Sequence, residues 1–215
     1  MKPIYVAPLL GVLLAVSANA TPVTLQELTV APYQIVTISV TGFYTGGVYA
    51  GINKLLVDSV AADGFCIDPF HFSIGGPQSY NSVPLTSAPK DDHLITGTHM
   101  TPGEADLISK LWTVGYSPSL TAEQAAALQI AIWDVVGGTD FHLTSANDYG
   151  ASVLLANATS YSGPRANLTA LTGPGQDFLV ARPPGVPDSG TTLSLLAISV
   201  FGLLCVRKML KVQLF

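Results

Sequence analysis

Cys66 and Gln129 are the residues whose chemistry stands out in this 215-residue chain. The only other cysteine, Cys205, lies inside an uncharged apolar stretch from Thr191 to Val206. A lone cysteine outside the cytosol pairs between chains, stays a reactive thiol, ligates a metal, enters another covalent bond, or is buried as a small inert hydrophobe. Gln129 is the one polar side chain in the run Ala125-Ala126-Ala127-Leu128-Gln129-Ile130-Ala131-Ile132-Trp133. Its amide needs partners, because burying it unpaired costs on the order of 1–3 kcal/mol. Backbone groups can supply them. The sharper chemistry is a thioester, in which a thiol displaces the amide nitrogen as ammonia and removes a buried NH2 and a free thiol together.

Other constellations are weaker. His71, His93, His99 and His142 could join Cys66 or Asp68 around a metal, yet Cys66-x-Asp68-x-x-His71 fits no standard zinc spacing. A Cys–His hydrolase with His142 or His93 as base lacks a nucleophile signature around Cys66. Asp134, next to Trp133 near a helix end, reads as a solvated or capping residue. No metal or cofactor is expected.

The elements that must position the pair are strands first and helices later. Val36-Thr37-Ile38-Ser39-Val40 alternates as a half-buried strand does, Gly46-Gly47 marks a turn, and Val48 to Val60 reads as one or two further strands. Gly75 to Asp92, rich in Gly, Pro, Ser and Asn, reads as a long loop. Thr101-Pro102-Gly103-Glu104 predicts a capped helix start with proline at the first position, and Leu107, Ile108, Leu111, Trp112 and Val114 follow at helical spacing. Gly115 and Pro118 end that helix. Thr121-Ala122-Glu123-Gln124 opens a second, closed by Gly137-Gly138 and apolar on every face, as for a helix buried all round. Tyr149 to Asn157 carries a weaker helical pattern, and Gln176 to Ala181 reads as a last strand. No internal repeat is visible. The expected fold is α+β: a β-rich, sandwich- or barrel-like domain with an inserted pair of helices.

Both ends read as processing segments. Lys2, an apolar run from Ile4 to Val16 and Ser17-Ala18-Asn19-Ala20 form a secretory signal peptide over residues 1–20. A spanning anchor needs about 20 apolar residues, more than this run has. Residues 21–181 form the extracellular domain, long enough for one core. Residues 182–190, rich in Pro and Gly, are a linker, and residues 191–215 read as a transmembrane helix whose basic flank, Arg207, Lys208 and Lys211, stays in the cytoplasm. With hydrophobic residues at 48% and charged residues at 11%, the chain is no disordered polyelectrolyte. Between the ends stand five basic residues against fourteen acids, a net charge of −9 that disfavours nucleic acid.

Val186-Pro187-Asp188-Ser189-Gly190, the short apolar segment and the basic end resemble the VPDSG variant of PEP-CTERM sorting tails. The resemblance implies recognition and removal by an exosortase, a membrane transpeptidase-like enzyme, with transient membrane anchoring. The destination is the cell surface or extracellular matrix of a Gram-negative-type bacterium. The glycosylation sequons at Asn157 and Asn167 carry no weight there. A second resemblance covers roughly Gly64 to Gly138. Phe65-Cys66-Ile67-Asp68 followed by Leu128-Gln129-Ile130-Ala131-Ile132-Trp133 is similar to the paired motifs of bacterial surface thioester domains. Carried over, Cys66 is the thioester sulfur, Gln129 the acyl donor, and Ile132 and Trp133 the packing that shields the bond. Gram-positive versions place Thr where this chain has Leu128. The implied activity is a single acyl transfer to an amine on a surface protein or polysaccharide, consumed on use and so not enzymatic. The rival expectation is a matrix or binding protein of the same fold without the bond.

Overall fold

The computed structural model describes residues 20–90 and 98–182. The signal peptide up to Asn19, His93, the sorting motif Val186–Gly190, Cys205 and the apolar segment 191–215 lie outside the described residues. Among the described residues no helix is long and apolar enough to cross a membrane.

In chain order the strands are β1 (Thr21–Val40), β2 (Tyr44–Val57), β3 (Val60–Cys66), β4 (Gln78–Val83), β5 (Phe141–Leu143), β6 (Leu168–Thr172) and β7 (Phe178–Ala181). The helices are α1 (Pro102–Gly115), α2 (Ala122–Gly137) and α3 (Ala151–Ser160). All strand pairings are antiparallel, in the order β2-β3-β7-β6-β4-β1-β5, and β1 also pairs with β2. Six strands therefore close into a ring, with β5 appended to the far end of β1. The expected β-rich fold is a barrel, with three helices among the described residues rather than an inserted pair.

The period of two along the strands separates two cores. Leu25, Leu55, Tyr80, Leu171, Phe178 and Val180 converge from five strands, and Ala62 of β3 packs beside them. This is the barrel interior. Alternate residues, among them Val36, Ile38, Ile52, Phe65, Ala170 and Leu179, face outward into a larger core shared with the helices. α2 supplies more of that core than any other element, and every residue from Ala125 to Trp133 is buried. Thr101 and Thr121 each make the reciprocal bonds of a capping box with Glu104 and Gln124, which fixes where both helices begin.

β1 is long enough to serve both the ring and a projecting hairpin because two bulges bend it. The register with β2 shifts between Glu27 and Thr29 and again between Val30 and Tyr33. At the second bulge β2 carries Gly51, where a Cβ would sit 2.2 Å from the Pro32 carbonyl oxygen. Only glycine fits.

Three expectations need correction. The first hairpin turns at Thr41–Phe43, with Gly42 at φ 73°, whereas Gly46 and Gly47 lie within β2. The expected loop from Gly75 contains strand β4. Its polar sequence hides it, but its backbone pairs with β1 on one side and β6 on the other, and Tyr80 fills the barrel. The weak helical signal at Tyr149 begins two residues later as α3. There Asp148 accepts bonds from the Gly150 and Ser152 amides and the Ser152 hydroxyl, capping the helix from outside.

Candidate functional site

Cys66 is the last residue of β3, and α2 crosses the barrel beside it. The β2–β3 ladder ends at Asn53 opposite Gly64, because β2 there swings away with the bulged β1. The N–H and C=O of Cys66 are left without a strand partner on that side, and Gln129 takes the place. Cys66 N–H donates to Gln129 Oε1 at 2.9 Å, and Gln129 Nε2 donates to Cys66 O at 2.8 Å. A planar carboxamide offers one acceptor and one donor, as a peptide group of a neighbouring strand would. Gln129 is 1% exposed, so both bonds form away from water.

The sulfur is held just as closely. Trp133 Nε1, one helical turn after Gln129, donates to Cys66 Sγ at 3.3 Å. The Asp68 amide donates to the same sulfur at 3.3 Å, and the thiol donates to the Asp68 carbonyl. Ile132, three residues after Gln129 on α2, is fully buried. Burial pushes the Cys66 thiol well above its usual range and the nearby Asp68 carboxylate adds to the push, while the Trp133 bond opposes it. An unreacted Cys66 sulfur is therefore a protonated, shielded thiol.

Sequence reasoning gave no role to the pairing of Asp68 with His71. Asp68 Oδ2 lies 2.7 Å from His71 Nδ1, and Asp68 Oδ1 accepts from the Phe70 amide. Burial holds the Asp68 carboxyl above its ordinary value, and His71 draws it back part of the way. The spacing of three residues after an Asp-Pro was the available signal, but it points to a turn as readily as to a site. Of the other histidines, His142 lies exposed on β5 and His99 forms an isolated bridge with Pro89. Asp134 is exposed near the end of α2, as expected. Among the described residues no group of three or more His, Cys, Asp or Glu side chains could hold a metal ion.

A cavity of ≈ 240 Å³ leads to Cys66 and Trp133 from between β1, β2 and the segment after β3. Its aromatic walls include Tyr44, Tyr49 and Phe72. A second, polar cavity of ≈ 460 Å³ lies beyond the Asp68–His71 pair. The arrangement seats the Gln129 carboxamide on the Cys66 main chain with its oxygen polarised by a backbone N–H, and the aromatic cavity reaches the sulfur from outside.

No curated protein and no solved structure matches this chain. Residues 185–209 match the VPDSG-CTERM motif, which supports an exosortase-type sorting tail and marks an exported protein of a Gram-negative-type bacterium.

Proposed function

We propose that this chain is an exported surface or matrix protein in which Cys66 and Gln129 condense to an internal thioester that later acylates an amine on a target protein or polysaccharide. The observation that carries the reading is the two-point pairing of the Gln129 carboxamide with Cys66 in a buried site whose sulfur is held by Trp133. In the first step the thiol adds to Gln129 Cδ, the C–N bond breaks, and the thiol proton leaves with the nitrogen as ammonia. The Cys66 N–H lies where negative charge develops on Oε1 and stabilises it. In the second step an amine adds to the same carbon and the C–S bond breaks. The sulfur recovers a proton, and an amide joins the chain to its target. The thioester is consumed once, so the protein acts as a covalent tether rather than a catalyst with turnover.

A specific observation favours the rival, a non-covalent matrix or binding protein: the Cys66 main chain already satisfies both polar ends of Gln129 without any bond forming. Intact-mass measurement of the exported domain separates the two. The thioester protein lacks the mass of one ammonia, and Cys66 resists alkylation until methylamine opens the bond. Cys66→Ala and Gln129→Ala each remove the deficit. A full-mass protein with a readily alkylated Cys66 rejects the thioester.

A further inference from the structure

The aromatic cavity above Cys66 contains polar groups, one of which the fold itself does not use. Asn53 is only 4% exposed, yet its amide has no hydrogen-bond partner among the described residues. No fully buried side-chain nitrogen or oxygen is left unpaired among the described residues, so the Asn53 amide must open onto the cavity. Glu27, beside the first bulge of β1, lines the same space with its carboxyl half-buried and bonded to the side chain of Ser73. His71 borders the cavity too, with Nδ1 fixed by Asp68. Tyr44 and Phe72, whose rings meet edge to face at 5.5 Å, line the same cavity together with Tyr49 and Trp133. A half-buried carboxylate, an unused amide and a sleeve of aromatic rings are the complement of a cation on an apolar stem.

We propose that this cavity is the acceptor site of the thioester, with Glu27 and Asn53 holding a primary alkylammonium group, the aromatic rings lining its stem, and His71 taking its proton. The inference rests on the Cys66–Gln129 reading above. The acceptor arrives as R–NH3+ and gives one proton to His71, which passes it to solvent. The neutral amine adds to Gln129 Cδ, the C–S bond breaks, and a second nitrogen-bound proton ends on Cys66 Sγ. The products are an amide, a thiol and one released proton. Asp68 is a positioning residue, acting only through His71.

The test compares second-order rates of adduct formation, followed by intact mass and thiol release. The nucleophiles are Nα-acetyl-lysine methylamide, which carries a cation on a stem, and hydroxylamine, which is small and largely neutral. The wild type should prefer the lysine amide over methylamine. Glu27→Gln and Asn53→Ala should each lower the ratio of the lysine-amide rate to the hydroxylamine rate by about tenfold, the effect of one charge-assisted hydrogen bond. His71→Gln should slow the lysine amide more than hydroxylamine, because only the charged nucleophile must shed a proton. Unchanged ratios in Glu27→Gln and Asn53→Ala, with hydroxylamine still forming adducts, overturn the acceptor site and leave the thioester standing. A full-mass wild type inert to hydroxylamine overturns both.

Discussion

Replacing Cys66 with Ala offers a thermodynamic test of the covalent link that does not depend on finding its target. The substitution removes the sulfur and with it the link, while the unreacted Gln129 carboxamide keeps both of its bonds to the main chain of residue 66. A cross-link between residues 63 apart restricts the unfolded chain, and by loop-closure entropy that restriction is worth about 4 kcal/mol at 25 °C. Loss of a small buried side chain adds about 1 kcal/mol. The variant should therefore fall by about 5 kcal/mol, a large share of the ~5–15 kcal/mol that holds a domain together. Urea unfolding followed through the buried Trp112 and Trp133 reads the difference. The denaturant slope should also steepen, because the uncrosslinked chain exposes more surface on unfolding. Wild type pretreated with methylamine should lose about 4 kcal/mol, since its link is open while its sulfur remains. If Cys66→Ala lies within about 1 kcal/mol of wild type and methylamine changes nothing, no covalent link spans these residues.

Three further outcomes follow from the geometry. Gln129→Ala orphans the Cys66 N–H and C=O in a water-free site, at about 1–3 kcal/mol each, so it should be less stable than Cys66→Ala when both are compared by urea melts. Gly51→Ala should cost at least about 2 kcal/mol in the same melts, because the added carbon meets the Pro32 carbonyl at the bulge. Burial holds Asp68 above the ordinary carboxylate range, so the fold binds that proton more readily than the unfolded chain does. Its contribution favours the fold at low pH and is lost as pH rises through the raised value. Asp68→Asn should flatten that part of the stability–pH curve, and an unchanged curve would show that another group sets it.

The helices were legible because their signals are local. A Thr with Glu or Gln three residues on marks a start whatever the tertiary context, and α2 shows its burial through the absence of any polar face. The proximity of Cys66 to Gln129 could be suggested only by the two motifs together. What brings them together is non-local: β2 pairs with β3 only from Asn53 onward, and no pattern near Cys66 records the vacant ladder position that Gln129 fills. β4 stayed hidden for a related reason. Gln78, Ser79, Asn81 and Ser82 have poor strand propensity, and pairing on both sides outweighs it. Asn53 and Glu27 are scattered in sequence and gather at the cavity only once β1 has bent.

The closed ring also bears on how copies of this chain behave when crowded together. Exposed sheet edges recruit neighbouring chains, and a ring of six strands has none to offer. The hairpin beyond the ring differs: from Tyr44 to Tyr49, β2 pairs with β1 alone among the described residues. Two adjacent glycines, Gly46 and Gly47, interrupt that margin and weaken it as a template for strand addition. β5, the other strand outside the ring, is only three residues long, so strand addition between crowded copies and fibril-like stacking are disfavoured.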